Sequence, residues 1–352
     1  MADTVRVAVV TEAGGAHLGQ YFSSLAEIEE AAQVAVCDPS GACEAEAKKA
    51  LGGKLAGFYR DDAALFREFK PQLAVTTLEP QHTPAAIDRC LDAGCHVLSE
   101  KPGCTTAEQF APLVKKADMK HLHLMLALAN RPYKMVQEAR RIVRRGLLGP
   151  LYGVNLFIVA DQARLERADY HRSWQASKER AGGGFLTWLG IHWLDLILHI
   201  TGLKVEQVAG FTDVVGRQPI DAEDSIAAAL RFNDRVLGSM QAGYYLDAKH
   251  KQHVAGYQSH MQLWGKHGWL RMALFEQEPL QWYSSQEAGT PQVQRMEIAK
   301  ETRSYTPFIR QAVRAAGGFQ EPPITGAESL HVLRTIFAIY QAAATGQTQT
   351  IE

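Results

Sequence analysis

Residues 5–10, VRVAVV, form a short and nearly continuous apolar run, the pattern of a strand buried on both faces of a parallel sheet. The run leads into Gly14-Gly15-Ala16-His17-Leu18-Gly19 and a helix-like segment through Leu25. Further apolar strands are expected at 34–37, 73–78, 96–99 and 122–129, with helices at 42–51, 63–69 and 84–93 among them. Strands alternating with helices predict an α/β fold with a doubly wound parallel sheet, in which ligands sit beyond the carboxyl ends of the strands.

The pattern changes after an amphipathic helix at 134–145, which Gly146 and Gly149-Pro150 stop, so the chain is divided into domains 1–128 and 129–352. Strands at 151–160, 205–214, 225–232, 236–244, 260–265 and 269–274 follow. Asn233-Asp234 and Lys266-His267-Gly268 stand where hairpin turns belong. A largely antiparallel open sheet is expected, its free face carrying Tyr244, Tyr245, Trp264 and Trp269. A subunit interface in a homo-oligomer would cover that face, although singly exposed aromatics need no explanation. Two helices, at 308–315 and 327–345, close the chain. Between these parts, residues 182–195 read GGGFLTWLGIHWLD, a flexible glycine run before a buried helix that ends near Thr201-Gly202.

At 352 residues, with 46% hydrophobic and 21% charged, the chain has the profile of a globular protein with room for two domains. Lys plus Arg number 37 against 38 Asp plus Glu, a balance that suggests neither nucleic acid nor an anionic membrane as partner. Cys37, Cys43, Cys90, Cys95 and Cys104 contain no C-x-x-C pair and read as reduced thiols, with no metal site expected. No uninterrupted apolar run approaches ~18 residues and the opening MADTVRVAVV runs straight into a strand, so a cytoplasmic protein is expected.

The glycine turn nearly fits G-x-G-x-x-G, whose glycines let backbone N–H groups approach a pyrophosphate at a helix N-terminus; Ala16 stands where the second glycine belongs. Asp38 ends the second strand, 19 positions beyond Gly19. A carboxylate there accepts ribose hydroxyls and repels a 2′-phosphate, favouring NAD over NADP; its other reading is a turn residue before Pro39-Ser40-Gly41. Thr77, Glu79 and His82 follow the third predicted strand, and Glu100-Lys101-Pro102 the fourth. Pro102 gives Lys101 a defined direction, and its charge would stabilise a developing alkoxide. His192, held among apolar neighbours, is the candidate proton-transfer group; the alternative is a satisfied core histidine. Tyr170, His171, Arg172, Trp174 and Lys178 lie in a polar, aromatic stretch suited to sugar recognition, or to an ordinary solvated loop.

In order, the glycine turn, Asp38, Glu100-Lys101-Pro102, Asn130-Arg131, Trp174 and GG-x-x-x-x-x-x-G-x-H-x-x-D resemble the Gfo/Idh/MocA oxidoreductases nearly end to end. The resemblance implies a Rossmann domain joined to an α/β domain with an open sheet that mediates oligomers. It implies NAD or NADP as cofactor, with Gly14, Gly15, Ala16, His17, Leu18, Asp38, Thr77, His82, Glu100 and Lys101 around it. Lys101 and His192 become the catalytic pair, and Arg131, Arg172, Trp174, Lys178, Trp188 and Asp195 join His192 at the substrate. The chain departs from the family where an acid usually stands four residues before the histidine: here it is Trp188, with Asp195 one turn beyond as a partial substitute. Ala16 and Leu78-Glu79 also differ from the usual glycine and Pro-Asn. The expected function is oxidation or reduction of a hydroxyl-bearing carbon of a sugar, glycoside or polyol. The alternatives are a redox-neutral enzyme that recycles bound NAD and a non-catalytic NAD-binding sensor.

Overall fold

The apolar run at the start of the chain forms β1 (Val5–Thr11), every residue of which except Arg6 is buried. The computed structural model describes residues 4–249, 257–274, 278–286, 293–296 and 304–352. They group into two compact units, Met1–Ala129 with Arg303–Leu330, and Asn130–Thr302 with His331–Glu352. A single cut at 128 does not describe this division, because a late segment returns to the first unit.

In the first unit β1 is followed by α1 (Leu18–Glu27), β2 (Ala31–Cys37), α2 (Glu44–Leu51), β3 (Leu55–Tyr59), α3 (Asp62–Phe69) and β4 (Leu73–Thr77). Then come α4 (Thr83–Asp92), β5 (His96–Ser99), α5 (Ala107–Met119) and β6 (Leu124–Leu126). The strands pair in parallel in the order β3-β2-β1-β4-β5-β6. The order reverses between β1 and β4, where the register sets Thr11 opposite Thr77. In α/β sheets the crevice at such a reversal is the binding position. The hydrophobic pattern misses β3, only half-buried and interrupted by Gly57, and α5, which carries Pro112.

The second unit opens with α6 (Lys134–Arg144) and β7 (Leu151–Asp161), continues through the one-turn α7 (Lys178–Ala181) to α8 (Ile191–Thr201), and then builds its sheet. The strands are β8 (Val205–Asp213), β9 (Ser225–Phe232), β10 (Leu237–Leu246), β11 (Tyr257–Gly265), β12 (Gly268–Met272), β13 (Leu280–Ser284) and β14 (Gln294–Met296). The chain then crosses to the first unit as α9 (Thr306–Ala316), where Arg310 and Arg314 pair with Glu30 just past α1 at 3.0 and 2.8 Å. It finishes with α10 (Gly326–Thr345) and β15 (Gln349–Thr350). Among the described residues the second sheet has nine strands in the order β14-β13-β12-β11-β7-β10-β9-β8-β15. Its ladders are antiparallel except β7 with β10, so the sheet is mixed.

Strand alternation corrects one expectation about the open face. Met240, Ala242 and Tyr244 share the buried side of β10, and Tyr244 packs edge-on against Phe185 at 4.7 Å. Tyr245 and Trp264 point the other way, with Trp264 41% exposed and in register with Trp269. The run Lys178–Thr201 has the length and hydropathy of a membrane span, yet 83% of its most apolar stretch is buried inside the fold. All five cysteines are buried free thiols, and no metal-holding cluster occurs among the described residues.

Candidate active site

In the first unit the turn after β1 meets α1 at His17, which takes the left-handed conformation (φ 56°) as the helix begins. Neither a capping side chain nor an acidic residue of its own first turn occupies that helix start. Gly15 is needed for packing against the sheet. A Cβ there would lie 2.4 Å from Thr11 Oγ1 and 2.5 Å from the Thr77 carbonyl. Thr77 is buried and donates its hydroxyl to the Ala16 carbonyl at 2.6 Å, tying the turn to β4. Glu12 accepts from the Glu79 amide and lies 3.0 Å from His82 Nδ1. A cavity of about 540 Å³ opens beside the turn, lined by Gly14, Gly15, His17 and Leu18 and by Ala42 and Cys43 ahead of α2. A glycine turn at a helix start and an adjoining cavity fit a dinucleotide.

Glu100 and Lys101 follow β5 and are both buried. Glu100 lies 3.3 Å from His17 Nδ1 and accepts the Tyr21 hydroxyl at 2.6 Å. Burial works against its charge, but His17, Lys101 and the Tyr21 bond outweigh it and hold the carboxyl below its ordinary range. Glu100 therefore ties the loop of Lys101 to the start of α1. The Lys101–Pro102 peptide is cis.

Asp38 is fully buried, and its carboxylate faces its own loop. Oδ1 accepts from the Ser40 amide and hydroxyl at 2.9 and 2.7 Å, and Oδ2 from the Cys43 amide at 3.1 Å. Despite the burial, these bonds keep Asp38 below the usual carboxylate range. The turn-residue reading of Asp38 describes these contacts, of which Oδ2 accepts one.

In the second unit the glycine run is pinned by its neighbours. A Cβ on Gly184 would fall 2.0 Å from the Glu223 carbonyl, and one on Gly183 2.0 Å from the Tyr340 hydroxyl. The Glu223 carboxylate accepts the amides of Gly184 (2.6 Å) and Leu186 (2.8 Å) and the Tyr340 hydroxyl (2.8 Å), while its carbonyl accepts from the Phe185 amide. Three neutral donors do not offset complete burial, which pushes Glu223 up to about 7. The expected flexibility of residues 182–184 is thus replaced by close packing. From this anchor the chain makes a π-helical turn, Leu186–Gly190, and enters α8, which Gly202 ends in the left-handed conformation. Such insertions recur at functional sites.

Along this apolar segment the positions short of full burial are Trp188, Leu189 and His192, with Leu198 and His199 near its end. Trp188 and His192 are four apart, so the open patch before the last turn presents the indole and the imidazole together. Trp174 meets Trp188 edge-on at 5.9 Å, and the Arg164 guanidinium lies over Trp188 at 4.8 Å. Arg131 and Asp195, both expected at the substrate, bind each other. Arg131 Nη2 donates to Asp195 Oδ1 at 2.6 Å and Nε to both carboxylate oxygens, and both residues are buried. That pair anchors α8 one turn beyond His192 and commits the acid expected to stand in for the missing one. Lys178 and Arg172 are exposed, Lys178 with its ammonium 5.9 Å from the Tyr340 ring. Sequence reasoning missed Glu223 and Arg164. The adjacent acids Glu223-Asp224 before the alternating strand β9 were a signal; Arg164 had none.

Residues 5–128 match the family described as "Oxidoreductase family, NAD-binding Rossmann fold", and residues 136–271 match the GFO/IDH/MocA C-terminal domain. The chain belongs to the Gfo/Idh/MocA family. Residues 5–128 are that family's NAD-binding Rossmann domain. Among curated Gfo/Idh/MocA relatives, it is 29% identical over 184 residues to trans-1,2-dihydrobenzene-1,2-diol dehydrogenase of Mus musculus, covering 52% of this chain and 51% of that protein. It is 32% identical over 176 residues to D-glucoside 3-dehydrogenase of Escherichia coli (strain K12), covering 48% and 46%. The chain spans about half the length of the curated relatives it matches. The crystal structure of an oxidoreductase domain protein from Kribbella flavida superposes with a TM-score of 0.85 over 99% of both chains at 20% identity, a likeness of fold.

Proposed function

We propose that this Gfo/Idh/MocA protein is an NAD-linked oxidoreductase of a hydroxyl-bearing carbon in a sugar, glycoside or polyol. The observation that carries the reading is His192, at a half-exposed position of an otherwise buried helix whose start is fixed by Glu223 and whose far side is fixed by Arg131 and Asp195. A proton-transfer group held this way loses little entropy on meeting its substrate. His192 acts as general base in oxidation and general acid in reduction. Lys101, buried beside Glu100, polarises the reacting oxygen. Trp188 and Trp174 offer aromatic faces to a ring, with Arg172 and Lys178 at the rim. NAD, when bound, supplies the hydride acceptor. The name of the Escherichia coli relative, a glucoside dehydrogenase, supports a carbohydrate substrate.

The experiment is incubation with NAD and a panel of monosaccharides, glycosides and polyols, following NADH absorbance and product mass together. NADH rising with a product two hydrogens lighter is the expected result. Lys101→Met and His192→Ala should each lower kcat by about 10²- to 10⁴-fold; unchanged turnover in both overturns the assignment. A second reading, in which bound NAD is recycled within each turnover, is favoured by Trp188 in the acid's place and by the engagement of Asp195 with Arg131. Product without NADH selects it. We also propose a homo-oligomer formed through the outward face of the nine-stranded sheet, where Phe211 is 77% exposed. A single-chain mass by light scattering overturns that proposal.

A further inference from the structure

The turn after β7 carries an arginine that the proposed chemistry does not use. Asp161 Oδ1 accepts the Ala163 amide at 3.0 Å and starts a short 3-10 turn, Gln162–Arg164. That turn lays the Arg164 guanidinium 4.8 Å from the centre of Trp188 and 5.9 Å from that of Tyr170. Beside this stack lies a cavity of about 280 Å³ whose lining includes Asp161, Arg164, Arg167, Leu189 and Tyr244. Leu189 belongs to the open patch of the helical segment that carries His192, so the cavity borders the residues already assigned to substrate.

Among the described residues, Arg164 Nη1 is shielded from solvent and makes no hydrogen bond. Stacking on a ring face uses the guanidinium's π surface and leaves its in-plane N–H groups unsatisfied. A buried charged donor without an acceptor is costly, and an acceptor brought by a ligand would relieve that cost. The local charge agrees. Along the cavity lining Arg164 and Arg167 outnumber Asp161, whose Oδ1 is already taken, and at the Tyr170 phenol, which burial pushes up, both guanidinium groups act against the carboxylates of Glu223 and Asp224.

We propose that this cavity is a subsite for a carboxylate carried by the substrate, so that the sugar is acidic, of the hexuronate class. The planar fork of Arg164 turns to meet the carboxylate, Arg167 adds attraction from its exposed position, and Trp188 and Trp174 bear the sugar ring. The inference rests on the oxidoreductase reading only in naming the bound sugar as substrate.

The test is calorimetric binding of D-glucuronate, D-galacturonate, D-glucose, D-galactose and D-glucose 6-phosphate to the full chain with NAD, with NADH formation recorded on the same mixtures. A uronate should bind at least about tenfold more tightly than its parent hexose. Arg164→Met should bring that ratio close to one. Arg167→Gln, at an exposed position, should lower it a few-fold and weaken its salt dependence, and decides the matter if Arg164→Met fails to fold. Equal affinity for uronate and hexose in the native protein, or an unchanged ratio in the variants, overturns the subsite. Tighter binding of glucose 6-phosphate than of glucuronate overturns the choice of carboxylate. Uronate preference with no turnover of any sugar counts against the oxidoreductase reading and leaves the subsite standing; turnover of neutral sugars without uronate preference does the reverse.

Discussion

Glu100 in the first unit and Glu223 in the second are both buried carboxylates, both accept a tyrosine hydroxyl, and both hold the start of a helical segment preceded by glycines. They differ in company. Glu100 stands beside His17 and Lys101 and remains below the ordinary carboxylate range, whereas Glu223 meets two amides and a phenol and rises to about 7. Burial is common to the two; the nearby positive charge decides which of them stays ionised. Each charge state suits its surroundings. A fixed anion stands beside Lys101, and a carboxyl raised to about 7 holds the start of His192's helical segment.

The largest expected effect comes from removing the charge where it has a partner. Glu100→Gln removes the buried charge that His17 and Lys101 stabilise and should cost about 3 kcal/mol of unfolding free energy in denaturant titration; a loss under about 1 would mean that the three are not coupled. Next is Gly184→Ala, whose methyl would meet the Glu223 backbone at 2.0 Å, with no flexible side chain to yield. A loss near the upper end for overpacking, about 3 kcal/mol, is expected. Full stability in that variant would show that the glycine run is loose.

The two carboxylates also predict opposite pH dependences. A raised acid binds its proton more tightly folded than unfolded, so the Glu223 contribution is complete below its ordinary value of 4.5 and is lost as pH climbs to about 7. Its full range is up to about 3 kcal/mol, with Tyr340, Lys178 and Tyr170 as neighbouring titratable groups. Glu100, held low, contributes above the ordinary carboxylate range and loses that contribution as pH falls through its own lowered value. Glu223→Gln should flatten the decline between 4.5 and 7 and leave the acid limb; a decline unchanged in the variant would assign it elsewhere. The smallest effect is at Gly14, where φ is +83° but a Cβ would meet nothing, so Gly14→Ala should cost about 1 kcal/mol, readable as a small shift in Tm.

Periodicity recovers the elements whose own residues form the core. His96–Ser99 and Ser225–Phe232 stand where the pattern puts them. It misses β3, because a half-buried edge strand with a glycine has no apolar run, and it misses the parallel pairing of β7 with β10, which depends on residues far apart in sequence. The same limit governs the site. Motif spacing set Lys101, His192, Arg131 and Asp195 at one site, but nothing local reveals that Arg131 and Asp195, 64 positions apart, pair with each other. Asp38 is the converse case. Its spacing matched a ribose acceptor, while its contacts are those of the turn that Ser40 and Cys43 complete. Glu223 and Arg164 belonged to no motif, and their importance comes from what surrounds them.

The return of Arg303–Leu330 to the first unit gives the molecule an order of assembly. On the ribosome the amino-terminal strands emerge first, yet Glu30 meets Arg310 and Arg314, and Ser24 meets Thr306, only after nearly three hundred further residues have been made. Through that interval α1 exposes the apolar flank that α9 will cover, a long-lived vulnerability for a nascent chain. The unit that begins translation is among the last to be finished, and a ribosome stalling near residue 300 would release a Rossmann sheet with one helix still missing from its side.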